Sequence, residues 1–269
     1  MLNNYKIIDE LDKLFIYVSS IEQLQDKIQS NKKALKKDLV DVAIQGKLTK
    51  QLPEDGTAEE LYQQIQEEKR KLEAKGRIKK EKKLPSVTED EIPFDTPDNW
   101  KWVRCSDIMM SISTGPFGSM LHKNDYIIDG IPLINPANII DERIIPSEKM
   151  MISQETKERL SSYVLNAGMI VMGRRGEMGR CAIITENEDG WVCGTGSFFM
   201  EPAEQVYPAY LLKLFSSQYA KKYLSGASVG TTMNNLNLNI LNGLPIPLPP
   251  LAEQKRIVAK LEELLPLCE

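Results

Sequence analysis

The sequence predicts an α+β fold in which a mixed-sheet domain is flanked by a long N-terminal helix and a shorter C-terminal helix of the coiled-coil type. Apolar residues recur at heptad spacing near both ends of the chain, which is typical of coiled-coil helices. Between Trp100 and Leu244 the pattern changes to short apolar runs bounded by Gly, Pro and Asn, which is typical of strands.

The composition limits the class of protein. The 269 residues are 42% hydrophobic and 27% charged, with a formal net charge of -4, as in globular proteins. No apolar run of about eighteen residues and no signal-peptide pattern occurs, so we expect a cytoplasmic protein without membrane contact. The four cysteines are scattered, and we expect them to pack as reduced apolar side chains. His122 is the single histidine, so a metal site or a Cys/His catalytic pair has almost no candidate residues.

The first predicted element is a coiled-coil helix within residues 1–50. One of its two seam positions is apolar throughout, whereas Gln25 and Lys32 interrupt the other. Polar seam residues weaken a coiled coil but fix its register and partner, which favours specific pairing. Gly46 is the expected end of the helix. The predicted seam residues are Leu14, Val18, Ile21, Ile28, Leu35, Leu39 and Val42.

A shorter helix followed by a charged linker is predicted for residues 51–92. Thr57 and Glu60 have the spacing of a capping box at the start of this helix, and Gly76 marks its end. Its thin apolar stripe indicates a surface helix. The basic run at residues 79–83 is either a solvated part of the linker or a contact to a phosphate backbone.

The globular domain is predicted for residues 93–248 and the C-terminal helix for residues 249–269. Within the domain, residues 208–226 have the pattern of one amphipathic helix. The prolines of residues 244–250 exclude both a helix and a central strand at that point. Heptad-like spacing resumes after these prolines.

The motif GRRGEMGR, residues 173–180, predicts a contact to duplex DNA. Glycine lets the backbone approach a ligand, and an arginine fork can hold guanine O6 and N7 together, so the candidates are Arg174, Arg175 and Arg180. The alternative is a β-hairpin whose arginines are solvated or paired with Glu177. Arg180 adjoins a predicted strand and could point inward to an acid.

Three further loops carry small and hydroxyl residues that can bond phosphates or base edges. In the first loop a turn presents Phe117, although packing of this ring in the core is an equal alternative. In the last loop Thr231 could instead cap a short helix. Lys123, shortly after the first loop, could meet a phosphate. With it, the candidate DNA contacts are Ser113, Thr114, Phe117, Ser119, Lys123, Thr195, Ser197, Thr231 and Asn234.

Several of these motifs, in this order, resemble the specificity subunit of type I restriction-modification systems. They are IQGKLTKQLPEDGTAEELYQQI, STGPFGSMLHKNDY, GIPLINPANI, NAGMIVMGRRGEMGRCAII and SGASVGTTMNNLNLNILNGLPIPLPPLAEQKRIV. The resemblance covers almost the whole chain from about residue 33. It implies that residues 93–248 form a target-recognition domain, which reads one half of a split DNA site and is held between conserved helices.

The resemblance also implies partners and cofactors. Duplex DNA, modification subunits and a restriction subunit are the expected partners, and the helices are the expected docking surface for the modification subunits. S-adenosylmethionine, ATP and magnesium are expected on those subunits, whereas this sequence has no glycine-rich cofactor loop and no Walker motif. The segment NPAN at residues 135–138 lacks the second proline and the aromatic residue of amino-methyltransferases, so no catalytic residue is assigned.

The sequence departs from the family pattern in two ways, since it has no first recognition domain and its last helix stops at LLPLCE. A half-length subunit that forms a homodimer through its N-terminal heptads would restore two domains. A truncated gene or an exchangeable cassette would have the same sequence. The alternative function is a dimerising scaffold or silent half-subunit that does not bind DNA alone, and the slight excess of acids favours a modest affinity.

Overall fold

The computed structural model describes residues 2–80, 82–226 and 236–268. The N-terminal helix α1 (Leu2–Ile44) is continuous over 43 residues, a length of about 65 Å at the usual rise of a helix. Its last turns carry the buried side chains of Val40, Ala43 and Ile44 into the main core of the domain. The helix ends before Gly46, as predicted, where the backbone has a φ of +71°.

The predicted seam of α1 is exposed along most of its length. Leu14 and Ile21 are 57% and 55% exposed, and Val18, Ile28, Leu35 and Val42 are exposed as well. Leu39 is the exception, because it lies near the end of the helix and packs against the core of its own chain instead of facing outward. Within the described residues, an apolar helical surface therefore projects from the domain without a partner.

The second helix, α2 (Ala58–Ala74), begins with the predicted capping box. The Thr57 hydroxyl accepts a hydrogen bond from the Glu60 amide at 3.3 Å, and the Glu60 carboxylate accepts one from the Thr57 amide at 3.1 Å. One face of the helix carries Leu61 and Ile65 into the main core, while the other is solvated. The prediction of a surface helix is therefore confirmed.

Two four-stranded sheets form the centre of the domain, with strands numbered in chain order. The first, called the recognition sheet here, is antiparallel and has the order β2 (Met109–Thr114), β11 (Ser197–Pro202), β8 (Ile170–Gly173) and β9 (Cys181–Ile183). The second has the order β10 (Val192–Cys193), β4 (Ile131–Ile134), β7 (Met151–Ile152) and β3 (Tyr126–Ile127). Its β10–β4 pair is parallel and its other pairs are antiparallel, so the predicted mixed sheet is confirmed.

Two short ribbons complete the described strands. One pairs β5 (Ile139–Ile140) with β6 (Arg143–Ile144). The other pairs β1 (Lys101–Arg104) with β12 (Pro245–Leu248), and places Trp102 opposite Pro247. The proline-rich segment is thus a strand with a single neighbour, consistent with the exclusion of a central strand, because each proline lacks the amide that a second neighbour would need.

The remaining helices are α3 (Gln154–Arg159), α4 (Pro208–Ser216), α5 (Gln218–Gly226), α6 (Leu238–Gly243) and α7 (Leu251–Leu264). The prediction of one helix over residues 208–226 is wrong, because the chain breaks at Ser217, whose ψ of 155° is extended. The Ser217 hydroxyl donates to the Leu214 carbonyl at 2.6 Å and accepts from the Ala220 amide at 3.1 Å. Local side-chain bonding of this kind competes with the helical ladder.

A buried carboxylate joins the segment that follows α1, the start of the domain and α7. Glu253 has no exposed surface. Its carboxylate accepts hydrogen bonds from the Thr49 hydroxyl at 3.0 Å, the Gln51 amide at 2.7 Å and the Trp100 indole at 2.8 Å. The three donors compensate the cost of burying a charge, so α7 and the segment that follows α1 are fixed to the domain at this point.

Residues that precede the domain are also fixed to it, through Arg104. Its guanidinium donates to both carboxylate oxygens of Glu91, at 2.8 and 2.6 Å, and to the carbonyls of Pro85 and Gly243, at 2.9 and 3.0 Å. Arg104, followed by the backbone amide of Thr88, lowers the pKa of Glu91 from 4.5 to about 2. Part of the charged linker is therefore an ordered layer on the domain.

We predict that Glu91→Gln lowers the free energy of unfolding at neutral pH by about 1–3 kcal/mol, because the bidentate charge-assisted bonds to Arg104 are lost. The folded pKa of Glu91 lies below its unfolded value, so this stability is complete above about pH 4.5 and is lost as the pH falls through about 2. Urea unfolding followed by circular dichroism at several pH values measures the difference. Glu89→Gln in the same turn is the control, and an equal effect of both variants at pH 7 would contradict the prediction.

Candidate nucleic-acid interface

Three loops that are far apart in the sequence meet at one edge of the recognition sheet. Because β11 runs antiparallel to both neighbours, its first residues lie beside the last residues of β2 and β8. Phe198 is opposite Thr114, and Ser197 is opposite Gly173. The loops that follow β2 and β8 and the loop that precedes β11 are therefore brought together by strand order.

Backbone contacts hold these loops close to one another. The Gly115 amide donates to the Ser197 carbonyl and the Arg174 amide donates to the Gly196 carbonyl, both at 2.9 Å. A Cβ atom on Gly115 would lie only 2.0 Å from the carbonyl oxygen of Gly194. This approach of two backbones requires glycine at position 115.

The hollow between the loops is called the edge cleft here and has a volume of about 200 Å³. It unites residues from three of the predicted DNA-contact segments, the 113–119 loop, the GRRGEMGR motif and the 194–198 loop. Its lining residues are Gly115, Pro116, Phe117, Gly118, Arg174, Arg175, Thr195 and Gly196.

Arg174 is held in a defined orientation beside the edge cleft. Its Nε donates to the Leu236 carbonyl at 3.1 Å, and its guanidinium carbon lies 5.0 Å from the centroid of the Phe198 ring. Burial, and then the charge of Arg175, lower the pKa of Arg174, but a guanidinium remains protonated at physiological pH. Its Nη nitrogens have no hydrogen-bond acceptor within the described part of the chain, so the outer edge of the fork can serve a ligand.

The mouth of the edge cleft presents Phe117, Arg175 and Thr195. Phe117 is 66% exposed, so the alternative in which its ring packs in the core is wrong. Arg175 and Thr195 are also exposed. Ser119 continues the same exposed loop, and Lys123 lies exposed in the turn before β3.

The other predicted contacts are less accessible or are not described. Ser113 and Thr114 are half-buried at the end of β2. Ser197 has no exposed surface and its hydroxyl has no hydrogen-bond partner within the described residues, so a direct contact to DNA is not available to it. Its strand, β11, lies between β2 and β8, and residues 197–200 of that strand are all buried. Thr231 and Asn234 lie outside the described residues.

Arg180 lies at the other end of the hairpin that the GRRGEMGR motif forms. Its carbonyl accepts a hydrogen bond from the Gly173 amide at 2.9 Å, which closes the hairpin. Arg180 lines a second cleft, beside α1, rather than the edge cleft. The carboxylate of Glu177 forms an ion pair with Lys221 at 2.6 Å, which lowers the pKa of Glu177.

Next to the edge cleft, though outside its lining, lie residues that the sequence analysis did not assign to the interface. Pro136 lies under the loops, where Cβ atoms on Gly173 and Gly196 would come within 3.2 and 3.6 Å of its ring. The Asn135 amide donates to the Asn138 side chain at 3.0 Å and forms a tight turn. Asn-Pro indicates a turn in a sequence, but its place beneath the cleft depends on how the sheets pack.

The described residues contain no cluster of His, Cys, Asp or Glu that could hold a metal ion. The four cysteines are free and buried, as predicted, and burial raises the pKa of the Cys105, Cys181 and Cys193 thiols. Among the helices of the described ranges, none is long and apolar enough to cross a membrane.

The edge cleft is a basic and glycine-rich surface on a domain between helices, and basic surfaces are typical of proteins that bind nucleic acids. The family model of the type I restriction modification DNA specificity domain matches residues 97–267, and the chain belongs to this family. Membership confirms the predicted resemblance and agrees with a recognition protein that has no catalytic activity.

Curated relatives extend the similarity to nearly the whole chain. The specificity subunits of the type I restriction enzymes EcoEI and EcoAI from Escherichia coli are 25% and 26% identical to it over 272 and 282 residues. Each alignment covers 98% of this chain but 43% of the relative, so the chain spans less than half the length of either protein. The crystal structure of the HsdS subunit from Thermoanaerobacter tengcongensis is 21% identical, with a TM-score of 0.49, and the match covers 91% of this chain and 52% of that chain.

We predict that Gly115→Ala reduces the free energy of unfolding by about 1–3 kcal/mol, because the new methyl group would overlap the Gly194 carbonyl and the backbone would have to move. Gly118→Ala is the matched control in the same loop, since no atom lies within 4 Å of its Cβ position, and we expect a change within about 0.5 kcal/mol. Urea midpoints measure both variants. Equal stabilities would mean that the loops do not meet as described.

Proposed function

We propose that this chain is the DNA-recognition subunit of a type I restriction-modification complex in the cytoplasm. In this proposal the domain reads one half of a bipartite target, and the helices dock modification subunits and pair with a second copy of the chain. The observation that carries it is the edge cleft, where an oriented arginine and two glycine-rich loops meet on one exposed edge. S-adenosylmethionine, ATP and magnesium belong to the modification and restriction subunits, and this chain holds no cofactor.

Arg174 is the proposed reader of a base pair. Its Nε is occupied by the Leu236 carbonyl and its planar group rests on Phe198, so the fork is ordered before DNA arrives. An ordered fork matches the O6 and N7 acceptors of guanine in the major groove. Arg175 and Lys123, which are exposed, supply phosphate contacts, and phosphate contacts position the domain without reading sequence.

Helix α1 is the proposed dimer interface and spacer. Its seam residues Leu14, Ile21 and Ile28 are all more than half exposed, and the fixed end of the helix belongs to the domain core. Contiguous exposed apolar surface of this extent marks a site of protein association. Pairing of two copies would set two recognition domains at a distance determined by the helix length.

Binding of duplex DNA in competition tests the proposal. A mixture of this protein and its modification subunit is incubated with labelled target duplex and excess random duplex. We expect the target duplex to be retained selectively. Equal retention of both duplexes would favour the alternative of a dimerising scaffold, to which the net charge of -4 is also suited.

We predict that Arg174→Ala and Arg174→Lys both relax the preference at one base pair by about 1–3 kcal/mol, since neither side chain can form the bidentate contact. Arg174→Lys keeps the charge, so its affinity for random duplex should stay close to that of the wild type. Arg143→Ala, which removes an exposed arginine outside the edge cleft, is the control. Competition with single-base variants of the target measures the base preference. A uniform loss of affinity for all duplexes would mean that Arg174 contacts only a phosphate.

A second variant tests the dimer. We predict that Ile21→Asp with Ile28→Asp produces monomers in analytical ultracentrifugation, because two charges would be buried in an apolar seam. Gln23→Asp with Ser30→Asp is the matched control, since it adds the same charge to exposed positions off the seam of α1. If the Ile variant keeps the oligomeric state of the control, the seam is not the interface.

A further inference from the structure

A second and larger cleft lies on the other side of the GRRGEMGR hairpin, between this hairpin, α1, α4 and α5. We call it the helix cleft, and its volume is about 770 Å³. Positive side chains outnumber negative ones along its wall by five to three. The positive residues are Lys36, Lys37, Arg180, Lys213 and Lys221, and the negative ones are Asp141, Glu142 and Glu177.

Two of the lysines are neutralised within the wall. Lys213 pairs with Glu142 at 2.5 Å, and Lys221 pairs with Glu177 at 2.6 Å. Over the whole wall, these pairs included, the positive side chains exceed the negative ones by two. The helix cleft therefore has an excess of positive charge at the junction of α1 and the GRRGEMGR hairpin, which favours an anionic occupant.

Arg180 gives independent support for a ligand at this place. Its Nε is buried, and no hydrogen-bond acceptor for it lies within the described residues. Buried hydrogen-bond donors in folded proteins normally have an acceptor, so a donor without one in the described chain points to an acceptor that comes from outside it. The backbone beside it is fixed, because a Cβ on Gly179 would lie 2.3 Å from the Phe215 carbonyl.

We propose that the helix cleft binds a backbone phosphate of the same DNA strand whose bases reach the edge cleft. This inference rests on the proposed function and adds α1, through Lys37, to the DNA-contacting surface. The hairpin that separates the two clefts is closed by the Gly173–Arg180 pair, so it is only two strands wide. A DNA strand carries one negative charge for each 3.4 Å or so of duplex axis, so a strand that crosses the hairpin brings phosphates to both sides.

A phosphate fits this wall better than a base does. Arg180 and Lys37 offer positively charged donors, whereas the acids that could accept from cytosine, Glu142 and Glu177, are already engaged by lysines. The contact would consequently add affinity that is equal for all sequences and would align the spacer helix with the duplex. Sequence preference would remain with the edge cleft.

The salt dependence of DNA binding tests this inference. Affinities for target and random duplex are measured over a range of salt concentrations for the complex with the modification subunit, with wild-type protein, Arg180→Gln and Lys37→Gln. Lys222→Gln is the matched control, since Lys222 is the exposed neighbour of Lys221 on α5 and does not line the cleft.

We expect Arg180→Gln to reduce the slope of log affinity against log salt by about 0.9, the value of one phosphate, and Lys37→Gln to reduce it in the same direction. Both variants should weaken target and random duplex by the same factor, while Lys222→Gln keeps the wild-type slope. Unchanged slopes in both variants, with selective DNA retention by the wild type, would overturn the inference alone. If the variants lose binding to the modification subunit while the salt slope is unchanged, the inference is overturned in favour of an acidic protein segment as the occupant of the helix cleft. If the wild-type protein retains no duplex, the proposed function is overturned as well.

Discussion

The hydrogen bonds of the buried Glu253 carboxylate are the interaction on which the arrangement of the molecule depends. A carboxylate without exposed surface is costly unless donors surround it, and here the donors come from the segment after α1 and from Trp100 at the start of the domain. Loss of one donor would leave a buried charge incompletely paired. The stability of α7, of the segment after α1 and of the start of the domain is therefore coupled. Arg256, one turn further along α7, pairs with Asp55 and ties the same segment a second time.

This junction gives a recognition domain that cannot swing freely on its helix. The last turn of α1 lies in the core, and Asp41 accepts hydrogen bonds from the amide and the side chain of Gln218 at the start of α5, at 2.9 and 2.8 Å. The GRRGEMGR hairpin contacts the same region through the ion pair of Glu177 with Lys221. Because each of these contacts is short-ranged, α1 and the edge cleft are held in one fixed relation.

Local sequence patterns predicted the helices and their ends, whereas the meeting of the loops and the burial of individual side chains depend on long-range packing. Gly46 and the Thr57 capping box were readable because a helix end depends on its own few residues. The break at Ser217 could not be predicted in this way, because the apolar stripe of the sequence continues through it. The edge cleft was predicted as separate loops, but their meeting depends on β11 lying between β2 and β8, and the burial of Ser197 follows from the same strand order. Leu39 likewise fits the heptad pattern, and only the packing of α1 on the domain removes it from the seam.

The central claim is that this chain selects the DNA sequence on which a type I complex acts. Methylome sequencing of cells with and without the gene tests it most directly, because recognition by the chain would be recorded as methylated bases at a defined site. The account predicts that deletion abolishes methylation at one bipartite motif and that restoring the gene with Arg174→Ala broadens that motif at a single position. An identical set of methylated motifs in the presence and absence of the gene would contradict it.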